Sequence, residues 1–514
     1  MPDTASGSPT TPPQQSLHPL LVLLLAPLAG ALVTLSLAPF NLWPAGILSC
    51  ALYGYLLCRC SSRQAIWRGW LFGLGLFGSG ASWVYVSIHV YGYASVPLAA
   101  LLTLLFCAGL ALLHSLFAWS YVRWIRPLPG GMLVGFPALW VLFEWLRSWL
   151  LTGFPWLYLG YAHSDTWLAG WAPIFGVFGL SFICALTGIC LFLCWRSRQA
   201  MPITTYVGLI LTLWIGGSVL KPIEWVDRAS EHPLSVALYQ PNIPQEHKWD
   251  RAWYQPILSQ FESAVEESYG TDIILWPESA IPSPYYRAKD FLDDVATRAS
   301  ESESTLITGI PTRSADGQSY YNSILSLGQG SGKYDKQRLV PFGEYVPLES
   351  WLRGLIRFFD LPMSNFSSGT SGQKPLRAGS YRVAPFICYE VVYPDLVAKA
   401  ARDADLLITI SNDSWFGNSI GPLQHLQMAR MRALENGRYM LRGTNNGVSA
   451  IIDHRGQVVS QSEQFVTTTL HGKAEVMLGQ TPFSSFGSAV VVGGSGLALA
   501  IMLLLYLTFW RDSD

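Results

Sequence analysis

Cys388 differs from the other cysteines of the chain because it lies outside the hydrophobic segments. It follows the short apolar run 383–387, which is typical of a buried strand, and Tyr389 and Glu390 come directly after it. A lone cysteine in a soluble region is either a small buried hydrophobe or a reactive thiol. The strand end favours a reactive thiol, since a rigid backbone can hold a nucleophile at the rim of a pocket.

Two further segments place a carboxylate and an ammonium at the ends of predicted strands. Glu278 follows Pro277, which interrupts regular strand pairing, and Lys336 precedes a second glutamate, Glu344. If these side chains converge on the cysteine, a carboxylate can take the thiol proton, and the lysine can stabilise an oxyanion together with the next backbone N–H. Taken singly, each has an ordinary alternative: a surface carboxylate, a solvated lysine or a glutamate that caps a turn.

The three segments together resemble the motifs of a known family. Trp276-Pro277-Glu278, Tyr334-Asp335-Lys336 and Cys388-Tyr389-Glu390 are similar to the three motifs of the carbon–nitrogen hydrolase (nitrilase) superfamily. With the segments 339–345 and 411–417 and the flanking apolar runs, the chain from about 20 to 510 resembles the membrane-bound apolipoprotein N-acyltransferases.

This resemblance implies a fold, a triad and a reaction. It implies an αββα sandwich, a triad of Glu278, Lys336 and Cys388, a supporting role for Glu344, and a pocket shaped by Tyr389 and Glu390. The implied reaction moves a phospholipid acyl chain, through a thioester on the cysteine, to the α-amino group of the N-terminal S-diacylglyceryl-cysteine of an apolipoprotein. No metal or organic cofactor is implied, because the donor is already an ester.

The composition requires membrane spans. Of the 514 residues, 50% are hydrophobic and only 13% are charged, which is too apolar for a wholly soluble chain. The net charge is −1 without a basic stripe, so nucleic acid is not an expected partner. Eight apolar runs approach the ~20 residues that span a bilayer. They lie near 20–37, 45–58, 69–88, 96–120, 132–150, 167–195, 203–220 and 488–510.

The arginines of the short loops predict the orientation. They follow spans two, four, six and eight, whereas the loops near 38–44, 89–95 and 151–166 contain none. Both termini are therefore expected in the cytoplasm and the region between spans seven and eight outside, in the periplasm of a bacterium. The expected parts are a disordered tail (1–17), a membrane domain (18–221), a periplasmic catalytic domain (222–485), an eighth transmembrane helix (486–510) and a cytoplasmic tail (511–514), in a monomer of the inner membrane.

The external region alternates strand-like and helical runs. Strands are predicted at 235–240, 273–276, 305–309, 322–327, 383–387, 406–410 and 448–452, and helices at 255–269, 289–300, 394–403 and 423–436. This order predicts an α/β layered fold in which helices cover a largely buried sheet.

Several residues outside the motifs are candidates for substrate contact. Trp249 and Trp415 match family positions on loops around the site, with plain packing as the alternative. Phe358 and Phe359 belong to the aromatic and basic stretch 351–359, which suits a lid at the membrane interface or an ordinary core helix.

The membrane region also contains candidates. Glu144 and Arg147, three residues apart in span five, share a helical face and can pair. Ionisable residues inside a membrane are usually functional, although a structural ion pair is an alternative. With Trp156 on the external side, they predict a corner that borders a lipid entry route.

Two other functions are compatible with parts of the same sequence pattern. A membrane-anchored nitrilase-type amidase would hydrolyse a small amide with the same three residues, but eight spans exceed what tethering needs. A transporter or scaffold would only bind through the external domain, but the paired halves typical of transporters are not found in the sequence.

Overall fold

The computed structural model describes residues 17–229, 232–314, 316–341, 343–345 and 366–509, without the side chain of Phe509. These residues form a set of apolar helices and an α/β sandwich of two facing sheets, which confirms the predicted fold class. The predicted disordered tail, apart from residue 17, and the tail 511–514 lie outside the described residues. So does the predicted lid with Phe358 and Phe359.

The sandwich consists of a six-stranded and a seven-stranded sheet. The first has the spatial order Thr468–Ala474, Leu234–Gln240, Ile273–Leu275, Thr305–Arg313, Tyr320–Gly328 and Lys333–Asp335. The second has the order Val458–Gln461, Ala450–Ile452, Met440–Thr444, Leu406–Ser411, Tyr381–Ile387, Leu376–Ala378 and Gly330–Ser331. A short pair, Asp227–Arg228 with Met477–Leu478, lies beside them.

Side-chain alternation explains the layers. In the strand Ile273–Leu275, the two outer residues pack into the core between the sheets, while Ile274 packs against the helices Tyr254–Glu266 and Tyr285–Glu301. Successive side chains of a strand point to opposite faces, so one short apolar strand serves both layers. The helices Pro394–Ala401 and Gly421–Asn436 cover the second sheet in the same way.

The central strands of each sheet run parallel, so their carboxyl ends lie at a common edge. Leu234–Gln240, Ile273–Leu275 and Thr305–Arg313 are parallel in the first sheet. Tyr381–Ile387, Leu406–Ser411 and Met440–Thr444 are parallel in the second. Loops that follow the carboxyl ends of parallel strands commonly carry the functional residues of α/β proteins.

The membrane part contains helices at all eight predicted places. They are Pro19–Ser36, Trp43–Cys58, Ser62–Gly80 continued after a bend by Val84–Tyr91, Val96–Ile125, Phe136–Arg147, Trp167–Arg196, Ala200–Leu220 and Ala489–Phe509. Among the described residues, five helices are long and apolar enough to cross a membrane, or six if the pair bent by 62° is one span. The shorter Trp43–Cys58 and Phe136–Arg147 do not meet this length, so the count of eight spans stays a prediction.

The helix Trp167–Arg196 is buried and joins the two parts of the molecule, whereas Ala200–Leu220 and Ala489–Thr508 are mostly exposed. The helix Trp167–Arg196 is interrupted at Gly176, where φ is 62°. The next amide, that of Val177, donates a 2.7 Å hydrogen bond to Glu435 Oε1 in the helix Gly421–Asn436. One continuous apolar cluster therefore runs from the membrane helices to the outer face of the second sheet.

Candidate active site

Glu278, Lys336 and Glu344 form one buried cluster. The Lys336 Nζ lies 2.8 Å from Glu344 Oε1 and 3.4 Å from Glu278 Oε1. Asn322, in the strand Tyr320–Gly328, donates from Nδ2 to the same two oxygens at 2.9 and 2.7 Å, and its carbonyl accepts the Lys336 amide. The lysine is 1% exposed and each carboxylate 7% exposed, so the charges face one another rather than water.

Each acid of the cluster is also fixed by its second oxygen. Glu278 Oε2 accepts the backbone amide of Asn412 at 2.8 Å, and Glu344 Oε2 accepts that of Val340 at 2.8 Å. Burial alone would lower the pKa of Lys336, but Glu344 and Glu278 outweigh it and raise that pKa above its ordinary value. The lysine therefore stays an ammonium, as a group that stabilises an oxyanion must.

Cys388 follows the strand Tyr381–Ile387 at the same edge. Its φ is 52°, a left-handed conformation that costs a non-glycine residue energy and often marks a functional position. Burial and the charge of Glu278 raise the pKa of the thiol well above its ordinary value, while Lys336 and Ser411 act in the opposite direction. The residue as a whole is partly exposed. A neutral thiol needs a base to take its proton before it can act as a nucleophile.

Glu390 connects the cysteine turn to the lysine segment. Its Oε2 accepts the Ile387 amide at 2.9 Å, and its Oε1 accepts the amides of Gln337 and Arg338 at 2.6 and 3.1 Å and the Tyr334 hydroxyl at 2.9 Å. The side chain is fully buried. This set of bonds joins the two segments, and the role of Glu390 in shaping the pocket stays a prediction.

The Tyr389 side chain contacts the membrane part. Its hydroxyl donates to the Gly153 carbonyl at 3.0 Å, and Tyr393 donates to the Thr152 carbonyl at 3.2 Å. The turn that contains Cys388 is thus attached to the loop that follows the helix Phe136–Arg147.

Two family models match the chain. The model of the apolipoprotein N-acyltransferase N-terminal domain matches residues 29–190, and that of carbon–nitrogen hydrolase matches residues 235–481. The apolipoprotein N-acyltransferase of Pseudomonas syringae pv. tomato is 49% identical over 469 residues, which is 90% of this chain and 92% of that protein. The one from Pseudomonas aeruginosa PAO1 is 48% identical over 490 residues, covering 94% and 95%.

This chain belongs to the apolipoprotein N-acyltransferase family. The Vibrio parahaemolyticus member is 40% identical over 502 residues, covering 95% of this chain and 98% of its own length. Among solved structures, Nit3 of Saccharomyces cerevisiae, in the nitrilase superfamily, is 20% identical with a TM-score of 0.37, covering 49% of this chain and 92% of that chain. Membership in the acyltransferase family does not favour the amidase alternative.

Sequence reasoning assigned no role to Asn322 and Lys248, nor to Asn412 within the segment 411–417. Lys248 is buried, and its Nζ donates to the Glu278 carbonyl at 2.9 Å. Burial lowers the pKa of Lys248 to about 8, although Glu278 acts in the opposite direction. Trp249 follows it directly, and its indole N–H has no partner within the described residues. Only the place of Asn412 after a strand could have signalled its role.

The other two candidate tryptophans lie where the membrane part meets the sandwich. The Trp415 carbonyl accepts the Ser87 hydroxyl at 2.7 Å, so this family position contacts the bent helix pair. Trp156 is 1% exposed and donates from Nε1 to Gln424 Oε1 at 2.7 Å. Trp83 packs against Trp156 and Phe416, with ring centroids 5.1 and 4.7 Å apart, and completes an aromatic wall.

Glu144 and Arg147, which the sequence placed on one helical face where they can pair, attract each other by charge without a direct salt bridge among the described residues. Both side chains are buried. Glu144 Oε1 accepts the Leu159 amide at 2.9 Å and the Trp140 indole at 3.0 Å, while Arg147 lies 5.2 Å from the rings of both Phe77 and Tyr158. The backbone and the indole of Trp140 thus bond Glu144, while aromatic rings pack against Arg147.

Proposed function

We propose that this protein transfers a fatty acyl chain from a membrane phospholipid to the α-amino group of the N-terminal S-diacylglyceryl-cysteine of apolipoproteins. The observation that carries the proposal is the buried cluster of Glu278, Lys336 and Glu344 at the strand edge where Cys388 stands in a left-handed turn. The names of the curated relatives supply the substrate class, an apolipoprotein.

In the first half-reaction, the Cys388 sulfur attacks the ester carbonyl of the phospholipid while Glu278 takes the thiol proton. Lys336 and the backbone N–H of Tyr389 stabilise the oxyanion of the tetrahedral intermediate. The intermediate collapses by breaking the bond to the glycerol oxygen, and Glu278 returns the proton to that oxygen. The products are a lysophospholipid and a thioester on Cys388.

In the second half-reaction, the free α-amino group of the acceptor cysteine attacks the thioester. Glu278 takes a proton from the amine, the C–S bond breaks, and the proton passes to the sulfur to restore the thiol. An amine attacks a thioester more readily than an oxygen ester, so the covalent intermediate suits amide formation. Glu344 does not react and keeps the lysine in place.

Exclusion of water is what distinguishes transfer from hydrolysis. The charged groups of the cluster are buried, and the aromatic wall of Trp83, Trp156 and Phe416 packs beside the loop that carries the Tyr389 contact. These features support a dry pocket at the membrane surface that admits an acyl chain.

The proposed setting is the bacterial inner membrane, with the sandwich in the periplasm, both termini in the cytoplasm and the chain acting as a monomer. The exposed apolar faces of Ala200–Leu220 and Ala489–Thr508 fit lipid contact. Both proposed substrates are lipid-anchored, so a site between membrane helices and the sandwich can reach them.

A transfer assay with purified protein tests the proposal. Phospholipid with a labelled acyl chain and a diacylated lipopeptide should yield labelled amide and lysophospholipid in equal amounts, and Cys388→Ala should abolish both. Cys194→Ala, a change at a half-buried cysteine at the end of a membrane helix, is the matched control and should keep activity. Full transfer by the Cys388 variant, or hydrolysis of a small amide without acyl transfer, would contradict the proposal.

A further inference from the structure

A buried histidine contacts the peptide that follows the nucleophile. His425 lies in the helix Gly421–Asn436 and is 1% exposed, and its Nε2 is 3.1 Å from the carbonyl oxygen of Cys388. A carbonyl oxygen only accepts hydrogen bonds, so Nε2 carries the hydrogen and donates it. The chemistry proposed above assigns this histidine no role.

Two charged side chains fix the other ring nitrogen. Arg442 Nη2 lies 2.6 Å from Asp413 Oδ2 and 3.2 Å from His425 Nδ1, and Asp413 Oδ1 is also 3.2 Å from Nδ1. The two hydrogens on Nη2 can serve the carboxylate and Nδ1, which leaves Nδ1 as an acceptor. Burial and the charge of Arg442 lower the pKa of His425, which agrees with a neutral ring protonated on Nε2.

The position of the Cys388 carbonyl also determines the direction of the next N–H. A peptide is planar and trans, so its C=O and N–H point in opposite directions. Tyr389 lies in the first turn of the 3-10 segment Cys388–Val392, where backbone N–H groups have no acceptor within the helix. The left-handed φ of Cys388 makes this conformation costly, so an external contact is needed to stabilise it.

We propose that His425 is a positioning residue that holds the Cys388 carbonyl and thereby keeps the Tyr389 N–H directed at the oxyanion. This inference rests on the proposed function. The membrane part supports the histidine, since the Trp156 ring lies 5.7 Å from its ring and bonds the neighbouring Gln424. The loop beside the lipid-facing helices is therefore in contact with the residue that orients the oxyanion donor.

Two substitutions separate the hydrogen bond from the packing. His425→Phe keeps an aromatic ring against Trp156 and Phe416 but has no donor, whereas His425→Gln keeps an N–H at similar reach. The first measurement is the rate at which labelled phospholipid acylates Cys388. The second is the rate at which iodoacetamide alkylates Cys388, followed by peptide mass; alkylation forms no oxyanion and so does not need the donor.

Removing an oxyanion donor costs about 10²–10³ in rate, so its misorientation in His425→Phe should slow acylation by about tenfold to a hundredfold. The KM for the phospholipid and the alkylation rate should stay within about threefold of wild type, because binding and thiol access do not depend on that donor. His425→Gln should recover most of the lost acylation rate.

The outcomes are distinguishable. Wild-type acylation by His425→Phe, an equal loss of acylation and alkylation, or no recovery in His425→Gln would overturn the inference. Should the phenylalanine variant fail to fold, His425→Asn, whose amide is too short to reach the carbonyl, must show the acylation loss relative to His425→Gln. If wild-type protein itself forms no acylated Cys388, the proposed function fails instead.

Discussion

At the scale of single residues, the site depends on acids whose oxygens are all occupied. Glu278 and Glu344 share the lysine and Asn322, and Glu390 accepts three backbone amides and a hydroxyl. Leaving a buried donor without its acceptor costs about 1–3 kcal/mol. Because the same carboxylates bond several loops, these loops hold one another in place. The reactivity proposed for Cys388 depends on that arrangement rather than on an acidic thiol, since the pKa of the thiol is raised.

The burial of Glu390 leads us to predict that the free energy of unfolding depends on pH. Burial raises its pKa to about 7, against the backbone donors that favour the carboxylate. Between about pH 4.5 and 7 the folded state then binds more protons than the unfolded state, so stability falls as pH rises through this window. At about 1.4 kcal/mol per pKa unit, the free energy of unfolding loses about 3 kcal/mol across this window.

The measurement compares wild type with Glu390→Gln, which keeps the size but does not ionise. Thermal unfolding in detergent between pH 5 and pH 8 should show the wild type losing stability relative to the variant. A difference that is constant or grows with pH would contradict the prediction.

Part of the site could be predicted from residue types and spacing. Glu278, Lys336 and Cys388 each follow a strand-like run, and such ends signal function. Asn322 lies inside a strand and His425 inside a buried helix, so their neighbours in sequence carry no chemical signal. Their roles come from long-range contacts, between 322 and 278 or 425 and 388, which local patterns do not encode.

At the scale of elements, the loop after the helix Phe136–Arg147 connects lipid-facing helices to the site. Its backbone accepts the Tyr389 hydroxyl at Gly153, and its Leu159 amide is held by Glu144. The sequence indicated that Glu144 matters, but not its partner. A spacing of three residues predicts a shared helix face, whereas the loop and the aromatic rings that contact the two side chains lie elsewhere in the sequence.

We predict that Glu144→Ala lowers acyl transfer at least about tenfold at normal expression, because the Leu159 amide loses its acceptor and the loop near Trp156 shifts. Glu144→Gln keeps an acceptor oxygen and is the matched control. The assay is transfer from labelled phospholipid in membranes. Wild-type activity in the alanine variant would show that this corner does not serve lipid entry.

The interrupted helix Trp167–Arg196 gives a second test. A Cβ at Gly176 would lie 2.2 Å from the buried Phe483 ring, and the backbone there (φ 62°, ψ −169°) is open to glycine almost alone. Gly176→Ala should therefore destabilise the protein by about 2–4 kcal/mol, from the strained backbone and the overpacking together.

Gly208→Ala is the control, because nothing lies within 4 Å of a Cβ added there, in a regular helix. It should be neutral or stabilising by up to about 1 kcal/mol. The measure is the unfolding midpoint of each variant in detergent. Equal midpoints for the two variants would contradict the role given to the interruption.

At the scale of the whole molecule, membrane helices and the sandwich share one apolar core, joined by the Glu435 bond to Val177. The external sandwich was predictable because alternating runs and strand-end motifs agree. The strands missed include Lys333–Asp335, Leu376–Ala378, Met440–Thr444, Val458–Gln461 and Thr468–Ala474. Polar residues inside them, such as Arg377, Arg442 and His471, interrupt the apolar pattern that identifies a strand. The bend between Gly80 and Val84 was also missed, because both halves are equally apolar.

The orientation predicts which sites face the periplasm. Alkaline phosphatase fused after residue 221 should be active, and fused after residue 198 inactive, because only the first position follows span seven. Green fluorescent protein fused after residue 514 should fluoresce. The reverse pattern would exclude a periplasmic sandwich.

The central claim is that Cys388 carries the acyl chain, and intact-protein mass spectrometry tests it most directly. Protein incubated with phospholipid of one acyl composition and no acceptor should gain the mass of one acyl chain. The adduct should map to Cys388, disappear with hydroxylamine or the acceptor lipopeptide, and be absent from Cys388→Ala. An unmodified wild-type protein that still releases lysophospholipid and forms the amide, or an equal adduct on the alanine variant, would contradict the account.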